Sequence, residues 1–65
     1  MEQILRNSRG VIVGKVTVDG NGNMIIRNAR NWICGEYIRC TDQVLNERKQ
    51  FVGRGAALLA TTLHD

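Results

Sequence analysis

With 65 residues, a formal charge of +3 and a pI near 9.4, the chain is a single small domain with a thin core. One histidine and two cysteines offer no zinc or redox spacing, and no run approaches the ~20 apolar residues of a membrane span. Met1 to Arg6 holds no apolar run of signal-peptide length, so a cytoplasmic protein with free thiols is expected.

Taken in order, residues 3 to 7 read as a short strand ending at a turn, Ser8-Arg9-Gly10, where Gly10 is free to take positive φ. Val11 to Val18 is β-branched and predicts a long strand. Strict alternation puts Ile12, Gly14, Val16 and Val18 on its inward face. Asp19-Gly20-Asn21-Gly22-Asn23 is the strongest turn signal. Met24 to Asn28 restarts a strand, and Ala29-Arg30-Asn31 turns it, with Asn31 in the place of Gly10 because Asn tolerates the left-handed conformation. Trp32 to Cys40 is the second long strand, with Ile33, Gly35 and Tyr37 inward, closed by Thr41-Asp42-Gln43. Val44 to Asn46 and Gln50 to Arg54 then pair across Glu47-Arg48-Lys49. The Ala- and Leu-rich stretch from Gly55 to Leu63 lacks alternation and favours a short helix, which needs a surface to pack on.

One pattern recurs. Asn7, Asn28 and Asn46, 21 and then 18 residues apart, are each followed two residues on by Arg and seven on by Gly. A large apolar residue (Ile12, Ile33, Phe51) stands two before each Gly. Such self-similarity predicts a mainly all-β chain of three tandem hairpins, about 3–19, 24–41 and 43–55, with an apolar tail over 56–63. Gly14, Gly35 and Gly53 occupy positions that Val or Ile would normally fill, and a strand-interior Gly costs entropy and packs nothing. Their recurrence is expected to mark close approach around a common pseudo-axis, with Ile12, Ile33 and Phe51 filling the centre. The alternative is a glycine-lined ligand slot.

The cadence resembles the small bacterial β-flower proteins, built from tandem hairpin repeats in four- or five-fold arrangement. Arg6 to Gly14 matches that unit closely, Arg27 to Gly35 well and Leu45 to Gly53 loosely, and an apolar tail after the last repeat is similar too. The resemblance implies petals about a pseudo-axis and brings no established activity. This chain departs from it in having three units with longer spacers.

The sequence points to no catalytic residue, metal ligand or cofactor site. It has no phosphate-binding Gly-Lys-Ser/Thr loop, nucleophile elbow or His pair. Asp19 and Asp42 read as turn formers, Cys34 as a small apolar filler and His64 as a frayed terminal residue. Trp32 and Tyr37 either pack or stack a base or sugar. Arg9, Arg30 and Arg48 hold one turn position in every repeat, a set that could bind phosphate or could stay solvated.

Two functions follow. The first is a non-enzymatic structural or interaction module that self-associates, a dimer by default, through the tail residues Ala56, Leu58, Leu59 and Leu63. In a variant of that reading the tail folds back as a lid. The second is a small basic protein that holds a nucleotide or nucleic acid through the turn arginines.

Overall fold

The computed structural model describes residues 1–63, so His64 lies outside the described residues. Six strands follow one another: β1 (Glu2–Arg6), β2 (Ile12–Val18), β3 (Met24–Asn28), β4 (Ile33–Ile38), β5 (Gln43–Asn46) and β6 (Phe51–Arg54). They form one open antiparallel sheet in the order β1-β2-β3-β4-β5-β6, so each strand pairs with its sequence neighbours and β1 and β6 are the edges. The chain is mainly all-β, and its only helical element among the described residues is a 3-10 helix, Ala56–Thr62.

All five connections are built alike. A first residue accepts at its carbonyl from the amide three residues on: Asn7 from Gly10, Asp19 from Gly22, Asn28 from Asn31, Arg39 from Asp42 and Asn46 from Lys49. The donor takes positive φ every time, at 78°, 83°, 68°, 54° and 64° respectively. This is the three-residue hairpin loop, a type I turn followed by a left-handed residue. In four of the five the first side chain completes it. Asn7, Asp19, Asn28 and Asn46 each accept at Oδ1 from the amides two and four residues on, at 2.8 to 3.1 Å. That bond pattern is why Asn or Asp opens these turns. Arg39 has no such oxygen, and its amide donates to Asn23 Oδ1 at 3.0 Å across the turn end.

Three of the five ladders slip by one residue at a matching place. Leu5 pairs with Gly14 but Arg6 with Ile12, which leaves Val13 over. Ile26 pairs with Gly35 but Arg27 with Ile33, leaving Cys34, and Val44 pairs with Gly53 but Leu45 with Phe51, leaving Val52. Each slip is a β-bulge, two residues opposing one. It overturns the expected facing of Ile12, Ile33 and Phe51. Directly opposed residues share a face, so the glycines lie with Leu5, Val16, Ile26 and Val44, while Ile12, Ile33 and Phe51 lie on the other side with Arg6, Arg27 and Leu45. They are 45%, 48% and 57% exposed and fill no centre.

The core sits on the glycine face. Its buried apolar side chains are Ile26, Cys34, Val44 and Leu59, with Leu5, Val16, Met24, Tyr37, Leu58 and Leu63 packed around them. Three of these, Leu58, Leu59 and Leu63, come from the tail. The leucines expected to reach a neighbouring molecule thus pack on their own sheet, as a lid, while Ala56 is exposed. Gly55, at φ 96°, reverses the chain after β6. The segment then covers the glycines in reverse order. A Cβ on Gly53 would meet Leu58 Cδ1 at 2.5 Å, one on Gly35 would meet Thr62 Oγ1 at 2.5 Å, and one on Gly14 would meet Leu63 Cδ1 at 2.9 Å. At Gly53 the tail alone approaches, whereas the paired strand's backbone adds its own close contact at the other two, the Arg27 carbonyl at Gly14 and the Leu45 carbonyl at Gly35. The 3-10 form rises ~2.0 Å per residue, more than the ~1.5 Å of an α-helix, so it spans more sheet for its length. Thr61 and Thr62 reinforce it by donating to the carbonyls of Leu58 and Leu59 at 2.6 and 2.7 Å.

Candidate functional site

A meander with five short turns has two ends. The turns opened by Asn7, Asn28 and Asn46 lie at one end, and those opened by Asp19 and Arg39 at the other. Arg9, Arg30 and Arg48 therefore share one rim, two strands apart from each other, and all three are exposed. At ~4.8 Å per strand the row measures about 19 Å from first to last. The sheet is open, so the arginines form a row and not a ring.

The rim is strongly one-sided in charge. Arg6, Arg9, Arg27, Arg30, Arg48 and Lys49, six of the nine basic residues, lie in these turns or one residue before them, with Glu47 the acid among them. Lys49 is engaged, at 2.6 Å from Glu36. Arg6 donates to the Gly10 carbonyl at 3.1 Å, binding across its own turn. None of the rim arginines forms an ion pair among the described residues. The turn asparagines hold the loop amides, so the arginine side chains are not required for the turn geometry. At the other end Asp19 and Asp42 offset Arg39 and Arg54.

Trp32 joins the rim. Its amide donates to Asn28 Oδ1 at 3.1 Å, which fixes its backbone at the end of the Arg30 turn. The indole is 62% exposed, and the Arg30 guanidinium lies 5.7 Å from its centroid, within cation–π range. Tyr37, its companion in the sequence reading, lies elsewhere: it packs against the core and donates to Asp42 Oδ1 at 2.7 Å. That bond, with some burial and the Asp42 charge, pushes the phenol above its usual pKa.

The second feature is the face opposite the tail. Ile4, Ile12, Ile33 and Phe51 are 43% to 57% exposed there, and no layer covers them. An open hollow of about 200 Å³ lies beside it, lined by Ile4, Ile12, Lys15 and the Asn28–Asn31 turn among others. Two ion pairs lie on the face, Lys15 3.6 Å from Glu2 and Lys49 reaching Glu36, and Arg6 and Arg27 share it. The bulges place Ile12, Ile33 and Phe51 here. The signal for them was the run of apolar residues on both parities before each glycine, Val11-Ile12-Val13 and Trp32-Ile33-Cys34.

Neither cysteine is in a disulfide, Cys34 being buried and Cys40 exposed, and among the described residues no three His, Cys, Asp or Glu side chains could hold a metal ion. No helix among the described residues is long and apolar enough to cross a membrane. No family model matches the chain, and neither a curated protein nor a solved structure does.

Proposed function

We propose that the chain is a non-enzymatic structural or interaction module of three tandem hairpins about a pseudo-axis, of the β-flower kind, which self-associates face to face. The shared turn bonds at Asn7, Asn28 and Asn46 and the matching bulges at Val13, Cys34 and Val52 support the repeat. Asp19 is committed to turn amides and Asp42 to the Tyr37 hydroxyl, so both carboxylates serve the fold. Two cysteines outside any disulfide support a reducing, cytoplasmic location.

The carrying observation is the uncovered apolar face of Ile4, Ile12, Ile33 and Phe51. Small domains bury both sides of a sheet or leave one side polar, and this side carries four exposed large apolar side chains among its charges. The accessible surface is 4567 Å², against ~4,200 Å² for a compact monomer of this mass. A second copy offers a face of the same shape and chemistry, and two such faces can stack about 10 Å apart as a sandwich. The tail is already used within the chain, so the contact moves from the tail to this face. Sedimentation velocity at tens of micromolar tests it. A dimer is expected, with Ile33→Lys giving a folded monomer. A wild-type monomer, or an Ile33→Lys dimer as tight as the parent, overturns the reading.

A further inference from the structure

Beyond self-association, and on a different surface, we propose that the rim of turns binds single-stranded nucleic acid. Arg9, Arg30 and Arg48 take the phosphates and Trp32 takes one base. Four observations converge. Six of the nine basic residues collect at one end of the sheet while the acids Asp19 and Asp42 sit at the other, so the molecule presents its positive end to an anionic strand. The three turn arginines are exposed, unpaired with acids among the described residues, and spaced regularly along one line. The turns hold their shape through Asn7, Asn28 and Asn46, so the guanidinium groups are spare to the fold. The only tryptophan of the chain stands on the same line, 62% exposed, with the Arg30 guanidinium over it.

The chemistry selects among polyanions. Arginines strung over about 19 Å suit a chain of phosphates and not one phosphate, which would need them convergent. That length corresponds to the short end of the roughly 4–16 nucleotides seen per single-strand module. An exposed indole gains nothing from a paired duplex, whose bases are already stacked, but stacks readily on an unpaired base. The Arg30 guanidinium on the ring extends that platform. Stacking and phosphate contacts do not read base edges, so binding is expected to be tolerant of sequence.

The probe is a fluorescein-labelled twelve-nucleotide oligothymidylate, read by anisotropy and by quenching of the single tryptophan. Saturable binding is expected at low salt, with indole quenching and an affinity that falls as salt rises, at a log–log slope of about −2 for three phosphate contacts. Changing Arg9, Arg30 and Arg48 together to Gln should weaken binding at least tenfold and flatten the slope, with an unchanged circular dichroism spectrum. Trp32→Leu should weaken binding about fivefold or more while keeping the slope. Arg39→Gln with Arg54→Gln, at the far end, should change neither beyond a small general charge effect. Unaltered binding by the triple Gln variant, equal affinity for a duplex of the same length, or equal quenching by inorganic phosphate would each overturn the proposal. So would the lack of saturable binding to the wild-type protein at low salt.

Discussion

Thr62 occupies the space a side chain at Gly35 would need: a Cβ there would lie 2.5 Å from the Thr62 hydroxyl oxygen and 2.9 Å from the Leu45 carbonyl oxygen. Real Cβ atoms do not come that close, and the carbonyl belongs to a paired strand that cannot yield cheaply. Gly35→Ala is therefore expected to destabilise by about 2 kcal/mol, near 10 °C in melting temperature for a domain of this size. Gly20→Ala, where nothing lies within 4 Å, should be close to neutral. Thermal melts of the two variants compare them, and equal melting temperatures would remove the close-approach argument.

Asn28 and Asn7 open their turns with the same two bonds but differ in burial. Both accept from two loop amides, but Asn28 is 3% exposed and Asn7 lies in solvent. Water can replace the Asn7 oxygen, whereas deleting the Asn28 oxygen leaves two amides short of a partner in a part-buried site. Asn28→Ala should cost about 2–3 kcal/mol and Asn7→Ala about 1 kcal/mol. Denaturant titrations that give the same loss for both would contradict this.

Leu59, 2% exposed, is the tail's main contribution to the core. Leu59→Ala should cost about 2–5 kcal/mol through lost burial and a residual cavity. Because the contact lies within one chain, the loss should not depend on protein concentration. A loss that shrinks as the protein is concentrated would return this leucine to an interface between copies.

The phenol of Tyr37 is expected to titrate above the usual value of about 10, because ionisation breaks its bond to the Asp42 carboxylate and sets two negative charges together. The folded-state pKa is raised, so the stabilisation is fully present below the unfolded value and is lost as pH rises through the folded one. As the chain has one tyrosine, alkaline absorbance reads it alone. Asp42→Asn keeps the positive-φ turn residue, since Asn tolerates that conformation, and should lower the midpoint. An unshifted midpoint in that variant would show that Asp42 is not the cause.

Most strands and turns were legible in the sequence because their causes are local. The exception is the fourth turn, which spans Arg39 to Asp42 where Thr41-Asp42-Gln43 was expected, so that the strand before it stops at Ile38 and not at Cys40. Asn28 followed by Arg30 and Asn31 writes its own loop, and Val11 to Val18 prefers extended backbone whatever surrounds it. Facing was less legible. Counting by twos from Gly14 puts Ile12 inside, but Val13 is the extra residue of a bulge and the count changes sign there. The glycines showed that something approaches, though not that Leu58, Thr62 and Leu63 do. An apolar tail states a need for cover and leaves its source open. The arginine rim was legible as spacing, while Trp32 joining Arg30 had to await the turn geometry.

The meander also sets an order of events during synthesis. Each strand finds its partner a few residues away, so the sheet can zip up from β1 while the chain is still emerging, a local pattern that folds fast. Its lid is the exception. Ile26 and Val44 pair with strands close to them in sequence, whereas Leu63 must travel back to reach Gly14. For that interval the nascent sheet shows apolar residues on both sides, a window in which a sticky partner or a chaperone has the first opportunity.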